Sequence, residues 1–259
     1  MISVGIVGMG VIGRQIAKAI DNGIPAVSLA GVAVRAATSA GGWPAYPLDE
    51  LIRRSDLIVE AATQAALLEF GPAVLARGKH LMVLSVGALV GVLDEWARLA
   101  EQHGCRILVP SGAIAGLDGM KGAREGAITS VTMETRKPPK GLAGAPWIVE
   151  RGIDLDAIRD ETLVFEGPAV RAVKAFPANV NVVAALSLAG IGPELTRIKV
   201  FAVPGQTRNQ HRIVIEGEFG RLRVEIENIP SENPRTGRLS YLSAIAMLRE
   251  LGASVRVGS

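Results

Sequence analysis

Apolar and polar positions follow two different rhythms along this chain, and the change between them divides it. Up to about residue 110, short runs of consecutive apolar residues alternate with stretches of 3.6-residue period. The run "ISVGIVG" (2–8) predicts a strand ending in glycines, and Ile12, Ile16 and Ile20 then lie four apart on one helix face that Asn22-Gly23 closes. "VSLAGVAVR" (27–35) predicts a second strand. A Gly/Pro-rich stretch (41–50) leads into a short helix over "LDELIRRS" (48–55) and a third strand over "DLIVEAAT" (56–63). "LLEFGPAVLARG" (67–78) predicts a helix in which Pro72 either introduces a kink or occupies the first turn. "HLMVLSVGA" (80–88), "VLDEWARLAEQHG" (92–104) and "CRILVPSGA" (105–113) predict strand, helix and strand. Nearly continuous apolar strands between helices predict a parallel sheet covered on both faces.

Downstream the strands alternate instead. "ITSVTMETRKPPKG" (128–141) opens as a half-polar strand, and residues 168–190 read as helix interrupted by Pro177. "TRIKVFAV" (196–203), "NQHRIVIEGEFG" (209–220) and "RLRVEIENIP" (221–230) predict a largely antiparallel sheet with one wet face. An amphipathic helix (238–252) and a last short strand, "SVRVG" (254–258), complete the chain. The predicted fold class is α/β: a Rossmann-type parallel-sheet domain over 1–112, plus an α+β-like catalytic domain over 113–232 with a mostly antiparallel sheet. Residues 233–259 are expected to return to the first domain.

The glycines Gly8, Gly10 and Gly13, with Met9, Val11 and Ile12 between them, form G-x-G-x-x-G between a predicted strand and a predicted helix. In that setting the first glycine permits a sharp turn, the second lets the backbone approach a pyrophosphate, and the third allows close helix–strand packing. Uncommitted N–H groups at the helix start suit the phosphate charge. The acidic residue that would accept from a ribose 2′-OH is missing at the end of the second strand, where Arg35 stands. Arginine there suits a 2′-phosphate, so NADP is favoured and NAD remains possible. Ala61-Ala62-Thr63, Ser85-Val86-Gly87 and Ser111-Gly112-Ala113 follow later strands, at the carboxyl ends where open α/β sheets bind ligands. Ala61, Ala62, Thr63, Ser85 and Gly87 are therefore further cofactor candidates.

Composition narrows the classes. Of 259 residues, 49% are hydrophobic and 20% charged, as in an ordinary globular protein. The net charge is +3, but lysines and arginines are scattered, which argues against a nucleic-acid partner. The N-terminus lacks a basic leader, and no run of about 18 apolar residues occurs, so a cytoplasmic protein without a membrane partner is expected. The lone Cys105 reads as packing, and no Cys/His cluster has metal-ligand spacing.

Several stretches resemble the L-aspartate dehydrogenase family: "VPSGAIAGLDGMKGA" (109–123), "TRKPPKG" (135–141), residues 164–190 with "FPANVN", "NQHRIVIEG" (209–217), and residues 226–248 with "NPRTG". The resemblance implies oxidative deamination of aspartate to oxaloacetate and ammonia through iminosuccinate, using NAD(P), in a homodimer. It places the catalytic histidine at His211, with Asn209 beside it, and nicotinamide-side contacts at Ala113 and Asn179. The chain departs from the family pattern at Arg35 and at Ala202-Val203-Pro204, where the family tends to carry Ala-Asp-Pro.

The residues make this chemistry coherent. Strand alternation puts His211 on the face of Ile213 and Ile215, away from Arg212, Val214 and Glu216. An imidazole can take a proton from water attacking an imine, and apolar walls keep it neutral. A small dicarboxylate needs cations or N–H groups, for which Arg136, Lys137, Lys174, Arg208 and the backbone at Ser111 and Gly112 are candidates. Each basic side chain, taken singly, is expected at the solvated surface. Two further readings fit the same residues: a dehydrogenase or imine reductase for another small dicarboxylate, and a non-catalytic dinucleotide-binding sensor.

Overall fold

The computed structural model describes residues 1–177, 180–229, 231 and 237–258. It divides into two units, one of residues 1–112 with 241–257 and one of residues 113–240 with 258–259. In the first, β1 (Ile2–Val7), α1 (Val11–Asp21), β2 (Val27–Ala33), α2 (Leu48–Arg54), β3 (Leu57–Glu60), α3 (Gln64–Leu75), β4 (His80–Val83), α4 (Leu93–Gln102) and β5 (Ile107–Leu108) follow in order. The strands form a parallel sheet in the order β2-β1-β3-β4-β5. The apolar runs are buried on both faces, as at Leu57–Val59 and Leu81–Val83. Chain order reverses between β1 and β3, so the crevice beyond the carboxyl ends of these strands is the ligand position of this topology.

The second unit holds α5 (Leu117–Ala123), β6 (Ile128–Lys137), α6 (Pro146–Glu150), β7 (Thr162–Pro168), α7 (Ala169–Ala175), α8 (Asn181–Ala189), β8 (Arg197–Ala202), β9 (Asn209–Gly217) and β10 (Gly220–Asn228). Its sheet has the order β10-β9-β6-β8-β7. Strands β6 and β8 run parallel, and the other neighbours antiparallel. One face carries buried Val131, Met133, Ile198, Val200, Ile213 and Ile215. The other carries ion pairs such as Arg212–Glu225 and Arg136–Glu134.

The final helix, α9 (Leu239–Leu251), joins the first unit from Tyr241 onward. Its Ala244 and Leu248 are buried in one cluster with Ile6, Ile16, Ile20 and Val27.

Some expectations need correction. Residues 254–258 form no strand: all are exposed, and Val255 and Val257 have no apolar face to cover them. Strand β7 lies in a stretch where no strand is predicted, and it is defined by pairing with β8 across a register shift. Pro72 lies within α3, well past its first turn. Among the described residues no helix is long and apolar enough to cross a membrane, and no group of His, Cys, Asp and Glu can hold a metal.

Because Leu248 is fully buried in the α9 contribution to the core, Leu248→Ala is expected to lower stability by about 2–5 kcal/mol. Urea unfolding measures it, and a loss below about 1 kcal/mol would show that α9 is not integral to the core.

Candidate functional site

The glycine loop is shaped by sterics. Gly8 has a φ of +96°, and a Cβ there would fall 2.6 Å from the Ala61 carbonyl oxygen. A Cβ at Gly13 would fall 2.1 Å from the oxygen of Gly8, so α1 approaches the loop more closely than any other residue allows. Gly10 differs, since a Cβ there meets nothing within 4 Å. It is also the N-cap of α1, and no side chain caps the helix. An open position in front of uncapped N–H groups is what a pyrophosphate requires. Around it, Met9 is buried and Val11 and Ile12 are partly buried. Arg14, which the sequence reading passed over, ties the loop in place: its Nε donates to Met9 O at 3.0 Å and its Nη2 to Ser39 O at 3.0 Å.

Arg35 is exposed two residues beyond β2, and its guanidinium has no hydrogen bond or ion pair among the described residues. Beyond β3, Ala61 is partly buried, Ala62 is exposed, and Thr63 caps α3 by accepting from Ala66 N at 3.2 Å. Beyond β4, Ser85 and Gly87 are buried around the turn Val86–Leu89. The residue joining these two loops is one the sequence reading missed. Glu60, 0% exposed at the end of β3, accepts at Oε1 from Ala62 N and Ser85 Oγ, both at 2.8 Å. Its Oε2 accepts from Leu84 N at 3.1 Å and Ser85 N at 2.8 Å. Burial pushes this carboxyl above the usual range, while the four donors pull it back. The visible signal was a carboxylate closing the apolar run "LIVE"; its partner 25 residues on was not legible. Ser111 and Gly112 end the first unit, both partly buried, Gly112 with a φ of +68°.

In the second unit, register assembles a polar cluster at one end of the apolar face. His211 pairs with Thr135 across β9 and β6, and Asn209 pairs with Asn228 across β9 and β10. Lys137 lies two residues beyond Thr135, on the same side of β6. All five are buried, His211 and Lys137 each at 4% exposure. The His211 Nδ1 and Thr135 Oγ1 are 3.1 Å apart. Asn228 Nδ2 donates to the Ala113 carbonyl at 2.7 Å, bringing that residue to the same strand end. Asn179 lies outside the described residues.

The four basic candidates separate cleanly. Arg136 is on the opposite face, bound to Glu134 and Glu161, Arg208 is exposed and paired with Glu227, and Lys174 is exposed on α7. Lys137 alone of the four shares the His211 face, against the surface position expected of it. Burial pushes its ammonium from 10.5 down to about 8. Burial first, and the Lys137 charge second, push the imidazole from 6.5 down to about 3. The cluster thus presents a neutral base beside a cation, which suits proton abstraction next to a bound carboxylate.

Residues 118–251 match the family model described as aspartate dehydrogenase, C-terminal, and residues 8–110 match that described as homoserine dehydrogenase, NAD binding domain. The chain is 47% identical to L-aspartate dehydrogenase of Methanosarcina acetivorans over the whole of both chains. It is 43% identical to L-aspartate dehydrogenase 3 of Bordetella bronchiseptica, over 100% of this chain and 98% of that one. The crystal structure of aspartate dehydrogenase from Thermotoga maritima matches with a TM-score of 0.81 at 25% identity, covering 100% of each chain. A hyperthermophilic archaeal homoserine dehydrogenase in complex with NADPH shares the fold, with a TM-score of 0.62 at 12% identity over 100% of this chain and 99% of that one.

Two outcomes are expected from this geometry. Gly10→Ala should stay within about 1 kcal/mol of wild-type stability yet lose dinucleotide affinity by about tenfold or more, whereas Gly13→Ala should lose both. Thermal unfolding and titration calorimetry separate the cases, and unchanged affinity in Gly10→Ala would remove the loop from the binding site. For His211, the unfolded chain takes up a proton as pH falls below 6.5, but the folded chain does so only near 3. Stability contributed by the neutral ring is therefore full above 6.5 and declines as pH falls from 6.5 towards 3. Urea unfolding at pH 7 and 4.5 should show a smaller loss in His211→Asn than in wild type; equal losses would contradict a buried neutral ring.

Proposed function

Because the chain belongs to the L-aspartate dehydrogenase family, we propose that it converts L-aspartate reversibly to oxaloacetate and ammonia through iminosuccinate, with His211 activating water. The observation that carries this reading is the buried His211–Thr135 pair with Lys137 on the same face. When bound on the glycine loop, NAD(P) supplies the acceptor for the hydride that leaves the substrate Cα. The loop fits that group: Gly8 and Gly13 are sterically obligatory, and the approach at Gly10 is open.

The residues of the second unit account for the remaining chemistry. With Nδ1–H donating to Thr135 Oγ1, the lone pair of His211 is on Nε2, ready for the proton of the water that attacks the imine carbon. Thr135 thereby holds the ring orientation, and its hydroxyl can accept from Nδ1–H in this tautomer. The Lys137 ammonium binds one substrate carboxylate, and its charge also disfavours imidazolium before substrate arrives. Asn209, buried two residues before His211 on the same strand face, orients the substrate or the ring. Backbone groups at Ser111 and Gly112 complete the substrate contacts. Arg35 binds a 2′-phosphate and favours NADP. The protein acts as a homodimer, a reading that rests on the family and is checked by sedimentation equilibrium.

Formation of NAD(P)H absorbance with L-aspartate, tried with both cofactors, tests the activity; absence of signal with either would overturn it. His211→Ala should cut turnover by about 10²–10⁴-fold with dinucleotide binding intact. Lys137→Met should act mainly through a higher KM for aspartate, and an unchanged KM would take Lys137 out of substrate binding. Arg35→Asp should shift preference from NADP towards NAD, and an unchanged ratio of Michaelis constants would refute the 2′-phosphate contact.

A further inference from the structure

Glu60 does more than the fold needs from it. A turn between two parallel strands can be fixed by neutral groups, yet here a carboxylate is taken wholly out of water. Burial raises this carboxyl above its usual range, and its hydrogen-bond donors oppose that by favouring the ionised form. The N–H groups of Ala62, Leu84 and Ser85 can only donate, and together with the Ser85 hydroxyl they occupy both oxygens. Among the described residues no Lys, Arg or His pairs with it. The negative charge is therefore held by dipoles alone, with no cation to neutralise it.

Its place in the sheet says what that charge faces. Strands β1 and β2 flank the glycine loop and Arg35, which take the pyrophosphate and the adenosine end. Strands β3 and β4 continue on the other side of β1, so their carboxyl ends belong to the nicotinamide half of the crevice. Glu60 closes β3 and reaches across to the loop that follows β4. The oxidised nicotinamide ring carries a positive charge, and the reduced ring carries none.

We propose, on the basis of the NAD(P) reading above, that Glu60 is a positioning residue for the cofactor. It locks the loops at 61–63 and 84–87 in one arrangement and, through its buried charge, favours oxidised over reduced nicotinamide. Ser85 and Gly87 serve the cofactor through this anchor. Without the charge, the oxidised form would lose affinity relative to the reduced form, and the reduced dinucleotide, the product of oxidation, would be relatively harder to release.

Calorimetric titration of NADP⁺, NADPH and ADP-ribose, which lacks the nicotinamide, provides the test. In Glu60→Gln the ratio of the NADP⁺ to the NADPH dissociation constant should rise by about tenfold, with ADP-ribose affinity within about twofold of wild type. Glu60→Asp keeps the charge and should keep the ratio within about twofold, even where absolute affinities fall. If the Gln amide, set against the N–H donors, prevents folding, Glu60→Ala gives the same readout. Equal weakening of both redox forms in Glu60→Gln, or an equal change of ratio in Glu60→Asp, would overturn the proposal. A wild-type protein binding neither redox form would instead refute the dinucleotide reading, and this inference with it.

Discussion

A side chain in the interior of a sheet has two directions to point, and the register of β6 against β9 decides which polar groups of this protein are buried. With Thr135 opposite His211, the odd-numbered residues of both strands share one face. Most of that face is aliphatic, and the polar residues come at its end. A slip of one residue would either bury Arg136 and turn Lys137 out to solvent, or bury Arg212 and turn His211 out, according to which strand moved. The apolar residues Val131, Met133, Ile213 and Ile215 oppose such a slip, because they would be exposed with it. The core thus specifies the site. Burying an imidazole and an ammonium is costly, and the packing of the same strands offsets it.

The first unit shows the opposite kind of constraint, in which atoms are absent. Gly8 and Gly13 are required because the Ala61 and Gly8 carbonyls leave no room for a Cβ, while Gly10 matters for what it leaves open. Three glycines of one motif thus have separable roles. Arg14 fastens this loop through the carbonyls of Met9 and Ser39, and Glu60 fastens the loops beyond β3 and β4. Each anchor is a charged side chain whose partners are mainly backbone groups, so loops built from small residues keep a defined shape.

Legibility in the sequence followed the range of the interaction. The strand–glycine–helix setting, the run of βα units and the inward direction of His211 are local, and the pattern of residues exposes them. Lys137 was legible in the same way: Val131 and Met133 put odd positions inward, and Lys137 is odd where Arg136 is even. Judging each basic residue by its usual exposure hid that distinction. Glu60 needed knowledge of Ser85, and β7 needed β8; in both cases the partner is fixed only by the folded topology. The run "SVRVG" failed for the converse reason, since alternation without a sheet edge to join makes no strand.

The two titrating groups of the second unit have opposite requirements, and their proximity reconciles them. In the reaction proposed above, a base must be neutral before it acts, and a carboxylate receptor must be charged. Burial alone would drive both towards neutrality, taking the ammonium down as well as the imidazole. Lys137 at about 8 remains mostly protonated at neutral pH, and its charge adds to the burial that keeps His211 unprotonated. A dicarboxylate entering this environment reverses the balance, because its negative charge favours the protonated form of both groups. The imidazole then becomes a stronger base just when water must be activated. In the proposed mechanism, a cation beside a buried histidine therefore holds the base in reserve in the free protein, and substrate charge releases it.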